Sequence, residues 1–526
     1  MPITSISFII FLAVIAGIYF VMPAKKRWMV LLAASYIFYL LASPKSFVFL
    51  LITTVTTYYG GRQIGKCEER YRKRLSEGEF DRAARKELKA ESKKEKKKWM
   101  LAVLILNFGI LAVMKYFGTY IDMLAELLHA DWMHVGSSIL IPLGISFYTF
   151  QSMSYIIDLY RGKYDPDTSL VRFALFVSWF PLIIQGPISR YDQLALQLYE
   201  GHEFDYTRVT RGAQLIMWGF FKKLVIADRV AVLVSTVFDN YKDYSGVYVI
   251  AGIVGYSIQL YADFSGGMDI SQGVSQIFGI KLIENFERPY FSLNMNEFWR
   301  RWHVSLGNWC RDYIFYPISL SKSFSKMTKK ARNIFGDRIG KLTPIIIAQT
   351  ASFVIIGIWH GAQIKYLVYG FYQAFFINIG LIFQPQFKRL AEILRINTDA
   401  WSWKLFLMIR TFTLITIGRF FDRGPRFLVA VRMIRAMFVF NPEELFNGGI
   451  FTLGMLPRDF QLIAVCLLIW LGVSIAQEKG YVIRDVIGRQ NLLFRWFIYL
   501  GGFIAIIVFG VYGVGYDANT FIYRTF

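Results

Sequence analysis

The run IIIAQTASFVIIGIW (345–359) leads straight into GIWHGA (357–362), so an imidazole, His360, closes a stretch suited to a bilayer. A polar side chain there is costly and faces a bundle interior or a wet cavity. Gly357 and Gly361 flank Trp359 and His360 and allow another backbone to approach closely. Imidazole titrates near neutral pH and can take a proton from a hydroxyl, so general-base chemistry is one reading. A core histidine paired to a neighbouring helix and a proton relay in a transporter are two others.

The chain has five histidines, His129, His134, His202, His303 and His360, and only the last two lie in strongly apolar surroundings. His303 belongs to EFWRRWHVSLGNWCRDYIFYP (297–317). Read as a helix, this segment puts Trp302, Leu306, Trp309 and Tyr313 on one face and Arg301, Ser305, Asn308 and Asp312 on another. Its aromatic and arginine density suits an interfacial or re-entrant helix. An anchor and a site both fit that pattern. QGPISRYD (185–192) and YADFSGGMDISQG (261–273) place polar groups, Asp263 and Asp269 among them, beside glycines in apolar runs. Each is either a cavity lining or a helix break satisfied by a neighbour.

Other chemistries lack their residues. The chain has no phosphate-binding GxxxxGK[ST] loop, no HExxH and no GxSxG, which argues against an ATP-driven pump and against a nucleophile-elbow hydrolase. Cys67, Cys310 and Cys466 are far apart, so neither a disulfide frame nor a metal-ligand spacing exists.

The elements that position these residues are membrane helices. The chain is 55% hydrophobic and 17% aromatic, a load that marks an all-α polytopic membrane protein. A spanning helix needs about 20 apolar residues. Candidate spans lie near 5–22, 28–43, 46–59, 99–117, 137–157, 170–187, 212–236, 246–263, 343–359, 366–383, 404–418, 459–476 and 493–515. About a dozen are expected to cross, with others re-entrant. The first lacks a basic leader and cleavage site, so it reads as a retained span. All of residues 1–526 read as one membrane domain.

The net charge of +22 suggests a membrane surface rather than nucleic acid. Residues 62–98 hold 15 basic and 8 acidic side chains and read as a charged cytoplasmic hairpin, where basic loops collect and meet anionic lipid headgroups. That placement puts the N-terminus outside and PAKKR inside. Residues 320–343 read as a second basic loop, and 384–403 as a connection holding a short amphipathic helix. The basic loop before the last span reads as inside, leaving the tail, 516–526, outside.

Taken together and in order, IPLGISFYTFQSMSYIIDLYRG (141–162), QGPISRYDQL (185–194), YADFSGGMDISQGVSQIFGI (261–280), FWRRWHVSLGNWCRDYIFYP (298–317) and GIWHGA (357–362) resemble the membrane-bound O-acyltransferases of bacteria. The branch is that of alginate O-acetyltransferase and the teichoic-acid D-alanyl transfer protein. The resemblance runs from about residue 5 to the end of the chain, and its most specific part is RWH followed by WHG. It implies a ring of tilted helices around a thin centre with a through tunnel. It also implies a catalytic His360, the family's signature histidine, with His303 as its second. FIYRTF (521–526) fits the pattern Phe-x-Tyr-x-x-Phe, through Phe521, Tyr523 and Phe526, of a C-terminal motif in bacterial acyl-export systems. There the tyrosine is thought to carry the acyl group to an extracellular partner; an interfacial aromatic is the plainer reading.

On that resemblance the expected activity is O-acyl transfer at a bacterial cell membrane, with no bound cofactor. Acetyl-CoA, or alternatively a D-alanyl carrier protein, would donate from the cytoplasm. Tyr523 would accept, activated by His360, while His303 would position or polarise the thioester. Trp302, Asn308, Trp359 and Asp263 would bind substrate. An extracellular transferase of SGNH or other type would then acylate an alginate-like exopolysaccharide. A fused tail favours acetyl over D-alanyl transfer to teichoic acid. A transporter or flippase would call for paired repeats with broken helices, and none is visible.

Overall fold

The computed structural model describes residues 1–128, 142–439, 441–512 and 521. The described residues are helical, with one isolated bridge between Phe286 and Trp302. Among the described residues five helices are long and apolar enough to cross a membrane: Arg82–Glu126, Gly246–Ile277, Lys322–His360, Pro457–Glu478 and Leu492–Phe509. Two bent pairs, Ala24–Ala42 with Pro44–Glu77 and Ile364–Ile382 with Gln384–Ile393, raise the number to as many as seven. The dozen expected from hydropathy differs because several apolar runs fold into short or broken helices. Residues 170–187, for example, form Leu170–Ser178 and Phe180–Gln185, parted at Trp179 and ended at Gly186. The chain is an all-α polytopic membrane protein.

The chain forms two compact units. The first comprises residues 1–213 and 270–283. It contains α1 (Ile6–Val21), α2 (Arg27–Ala42), α3 (Phe47–Glu77), α4 (Arg82–Ala112) and α5 (Ile145–Arg161). Helices α3 and α4 form a hairpin that packs on α5. Gly60 faces Val103 of α4 so closely that a Cβ there would collide with it. The charged stretch 62–98 occupies the facing ends of α3 and α4, tied by Lys96–Glu68 at 2.6 Å, Arg70–Glu95 at 2.5 Å and Arg74–Glu91 at 3.4 Å.

The second unit comprises residues 214–269 and 284–526. A π-helical turn at Phe221–Ala227 leads into α6 (Asp228–Asp239). Then come α7 (Gly246–Ile277), whose residues 270–277 count with the first unit, α8 (Met295–Arg301), α9 (Val304–Cys310), α10 (Lys322–His360), α11 (Ile364–Ile382), α12 (Gln384–Ile393), α13 (Trp401–Arg423), α14 (Pro457–Glu478) and α15 (Leu492–Phe509). Asn294, Ser321 and Asn491 cap α8, α10 and α15 by accepting backbone N–H groups.

Two local expectations change and one holds. Residues 320–343 are not a loop but the first half of α10, kinked at Gly336, where φ is +80°. The short helix expected within 384–403 is α12. The glycine pair at 266–267 breaks nothing, and α7 runs through it. A Cβ at Gly266 would press on the Gly219 carbonyl, so that glycine serves helix-to-helix approach instead.

Candidate functional site

Helices α10 and α11 cross where GIWHGA ends. A Cβ on Gly357 would collide with the Tyr366 carbonyl oxygen, and one on Gly370 with the Phe353 carbonyl oxygen. The two glycines let the backbones touch, and this contact sets the height of the last turn of α10. His360 ends that turn, 6% exposed. Its ring stacks on Tyr366, centroids 6.1 Å apart, and meets Tyr369 edge-on at 5.6 Å.

His303 arrives by a different device. The segment 297–317 is not one helix, because α8 stops at Arg301 and α9 begins at Val304. Between them Trp302 leaves the helix to bridge Phe286, and His303 turns left-handed at φ +48°. A non-glycine residue in that region costs free energy and persists only where its surroundings impose it. Here Asn285 does so. Its carbonyl accepts the Val304 N–H at 3.1 Å, and its side-chain Oδ1 accepts the Ser305 N–H at 2.8 Å. Oδ1 also lies 3.3 Å from His303 Nδ1. Because the same oxygen already accepts a backbone N–H, Nδ1 is assigned as the protonated nitrogen and Nε2 as an acceptor. The face-sharing inferred for a continuous helix through 302–313 therefore does not hold across His303.

The two imidazoles come together through Trp359. His303 lies 6.3 Å from the Trp359 ring and Trp359 lies 5.0 Å from His360, centroid to centroid. Phe264 of α7 closes the other side of His303 at 4.8 Å. Burial, aided by the nearby His360, pushes the His303 imidazole down to about 3, so it is neutral at physiological pH. A neutral ring whose Nδ1–H faces Asn285 presents an acceptor at Nε2. That suits positioning a donor group better than polarising a carbonyl.

The other expected site residues are more dispersed. Trp302 is buried among Phe286, Phe298 and Tyr261, with the Arg419 guanidinium 4.8 Å from its ring. Asn308 is half-buried on α9 and makes no hydrogen bond to either imidazole. Asp263 pairs with Lys223 at 2.6 Å, and the same ammonium reaches Asp228 at 2.7 Å. Asp269 takes Lys222 at 2.8 Å. Tyr523 and Phe526 lie outside the described residues. Phe521 is described and buried, its ring 4.5 Å from Lys223 Nζ.

One functional neighbour was not singled out in the sequence. Asp422, in the last turn of α13, is 4% exposed and places Oδ1 3.8 Å from His360 Nδ1. The only sequence signal was a carboxylate closing the apolar run TLITIGRFFD.

Residues 165–421 match the family described as MBOAT, membrane-bound O-acyltransferase. A probable alginate O-acetylase of Pseudomonas aeruginosa is 32% identical over 83% of this chain and 74% of its own length. A peptidoglycan O-acetyltransferase of Helicobacter pylori is 26% identical over 80% of this chain and 75% of its own. A teichoic acid D-alanyltransferase of Bacillus subtilis is 29% identical over 57% of this chain and 73% of its own.

Proposed function

The chain belongs to the membrane-bound O-acyltransferase family, and on that premise we propose that this O-acyltransferase exports an acetyl group for O-acetylation of an extracellular polysaccharide. The observation that carries the reading is the meeting of His303, Trp359 and His360 in a buried apolar setting. Similarity to two O-acetyltransferases over four fifths of the chain, against just over half for the D-alanyltransferase, favours acetyl over D-alanyl.

The donor is a cytoplasmic thioester, most simply acetyl-CoA, and the basic surplus of the chain favours a phosphate-bearing donor. The acyl end enters a tunnel through the bacterial cytoplasmic membrane. The phenol of Tyr523 meets it from the far side. A phenol ionises near pH 10 and is a weak nucleophile at neutrality. His360 takes its proton as the oxygen attacks the thioester carbon. The acyl–oxygen bond forms, the carbon–sulfur bond breaks, and the imidazolium returns its proton to the departing thiolate. Trp359 forms the wall between the histidines, and His303 positions the reacting groups through Nε2. An extracellular acyltransferase then moves the acetyl group from Tyr523 to a sugar hydroxyl.

The test is intact mass spectrometry of the C-terminal peptide, from cells lacking extracellular acyltransferases, in wild type, His360→Ala and Tyr523→Phe. The expected result is a 42 Da adduct on Tyr523 in the wild type alone. A D-alanyl mass would move the assignment to teichoic acid. In cells that keep those acyltransferases, full polymer acetylation by Tyr523→Phe would remove the tyrosine from the route, and full acetylation by His360→Ala would overturn the base.

A further inference from the structure

The two oxygens of the Asp422 carboxylate have different surroundings. Oδ2 accepts the Tyr256 hydroxyl at 2.8 Å. Oδ1 is buried and takes no hydrogen bond from any described residue, yet it faces His360 Nδ1 at 3.8 Å. A buried acceptor without a donor costs roughly 1–3 kcal/mol, more for a charged one, so a fold that keeps one calls for an explanation.

The end of α13 that carries the carboxylate is also held from several sides. Lys365 Nζ donates to the Asp422 main-chain carbonyl at 3.1 Å and to that of Gly424 at 2.7 Å, which fixes the end of α13. Lys365 lies in the first turn of α11, the helix whose Tyr366 and Tyr369 rings enclose His360. Tyr256 ties the carboxylate to α7, the helix that also carries Phe264 against His303. Three helices thus aim one carboxylate oxygen at one ring nitrogen.

We infer that Asp422 is the positioning residue of His360, and this rests on the reading of His360 as the base. Asp422 accepts the Nδ1–H of His360, which fixes the tautomer that leaves Nε2 to receive the acceptor's proton. It then stabilises the imidazolium formed when that proton arrives, as an orienting carboxylate does in hydrolase triads. The 3.8 Å separation is longer than a hydrogen bond, and catalytic hydrogen bonds tighten when the site is loaded. The rival role is structural: Asp422 would only tie α13 to α7 through Tyr256.

Three variants of the full-length protein in detergent or vesicles separate these roles: Asp422→Asn, Tyr256→Phe and His360→Ala. Acetyl transfer from acetyl-CoA is followed together with thermal unfolding. Positioning predicts that Asp422→Asn lowers kcat by about 10⁴-fold with KM for acetyl-CoA unchanged, the scale of losing an orienting carboxylate. Tyr256→Phe, which loosens the aim but keeps the carboxylate, then loses far less of kcat than Asp422→Asn. If Tyr256→Phe loses as much as Asp422→Asn, with unfolding lowered equally in both, the role is structural and the inference falls. If Asp422→Asn works within threefold of wild type while His360→Ala is dead, the inference falls and the base stands; an active His360→Ala removes the reading beneath it. Nitrogen-15 spectra of histidine-labelled wild type decide even if Asp422→Asn fails to fold. The His360 signal, assigned by its loss in His360→Gln, should show protonated Nδ1, and protonated Nε2 alone would overturn the inference.

Discussion

Gly357→Ala adds one methyl group at the crossing of α10 and α11. Built on this backbone, that methyl collides with the Tyr366 carbonyl oxygen and lies 3.3 Å from Gly370 Cα. Backbone cannot swing aside as a flexible side chain can. The helices must part by about 1 Å to restore ordinary contact. Overpacking of this kind costs about 1–3 kcal/mol. His360 lies three residues on, in the same turn, so it moves with the backbone. A 1 Å misplacement of a catalytic group costs about 10²-fold in rate. Gly357→Ala should therefore lower kcat about 10²-fold and lower the unfolding temperature, with little change in KM. The control is Gly380→Ala on α11, where nothing lies within 4 Å and alanine gains about 0.5–1 kcal/mol of helix propensity. The assay is acetyl transfer in vesicles alongside thermal unfolding in detergent. Equal activity and equal unfolding temperatures for the two variants would refute the argument that glycine contact at 357 sets the position of the imidazole.

Two further outcomes follow from buried charge. Lys222→Met strands the Asp269 carboxylate and should cost about 3–5 kcal/mol, whereas Lys222→Met with Asp269→Leu should recover most of it; unfolding of single and double variants side by side checks this, and equal losses would refute it. The His303 imidazole is held at about 3 in the fold against about 6.5 in the unfolded chain. Its contribution to stability is therefore complete above pH 6.5 and declines as pH falls toward 3, by up to about 1.4 kcal/mol per pH unit. Unfolding at pH 7.5 and pH 5 should show a steeper loss in wild type than in His303→Gln, and parallel slopes would count against burial as the cause.

His360 was legible because an imidazole closing an apolar run between two glycines has few inexpensive explanations, and the crossing at Gly357 bears out the close approach those glycines suggested. The conformation of His303 was not legible. Periodicity read 297–317 as one helix, whereas Asn285, which imposes the left-handed turn, lies 18 residues upstream and acts through tertiary hydrogen bonds. Asp263 was seen as a polar group needing a partner, but its cation, Lys223, belongs to a different helical segment. The paired glycines at 266–267 left a cavity lining and a helix break both open, because nothing in the sequence shows that Gly219 approaches Gly266. Asp422 escaped for a related reason: a carboxylate at the end of an apolar run is the ordinary sign of a helix leaving the membrane.

The π-helical turn at Phe221–Ala227 bears on how the chain is made. It buries Lys222 and Lys223, and their partners Asp269 and Asp263 both belong to α7, which is synthesised later. An unpaired lysine at the centre of a spanning helix costs about 2.5–3.5 kcal/mol on insertion. Lys223 has Asp228 within its own segment, so the segment through the π-turn incurs this once, at Lys222, if it enters the bilayer alone. Entry becomes easier once α7 has left the ribosome and brought Asp269 to Lys222. The two segments are units of insertion only as a pair, and a chain arrested between them should hold the first at the membrane interface.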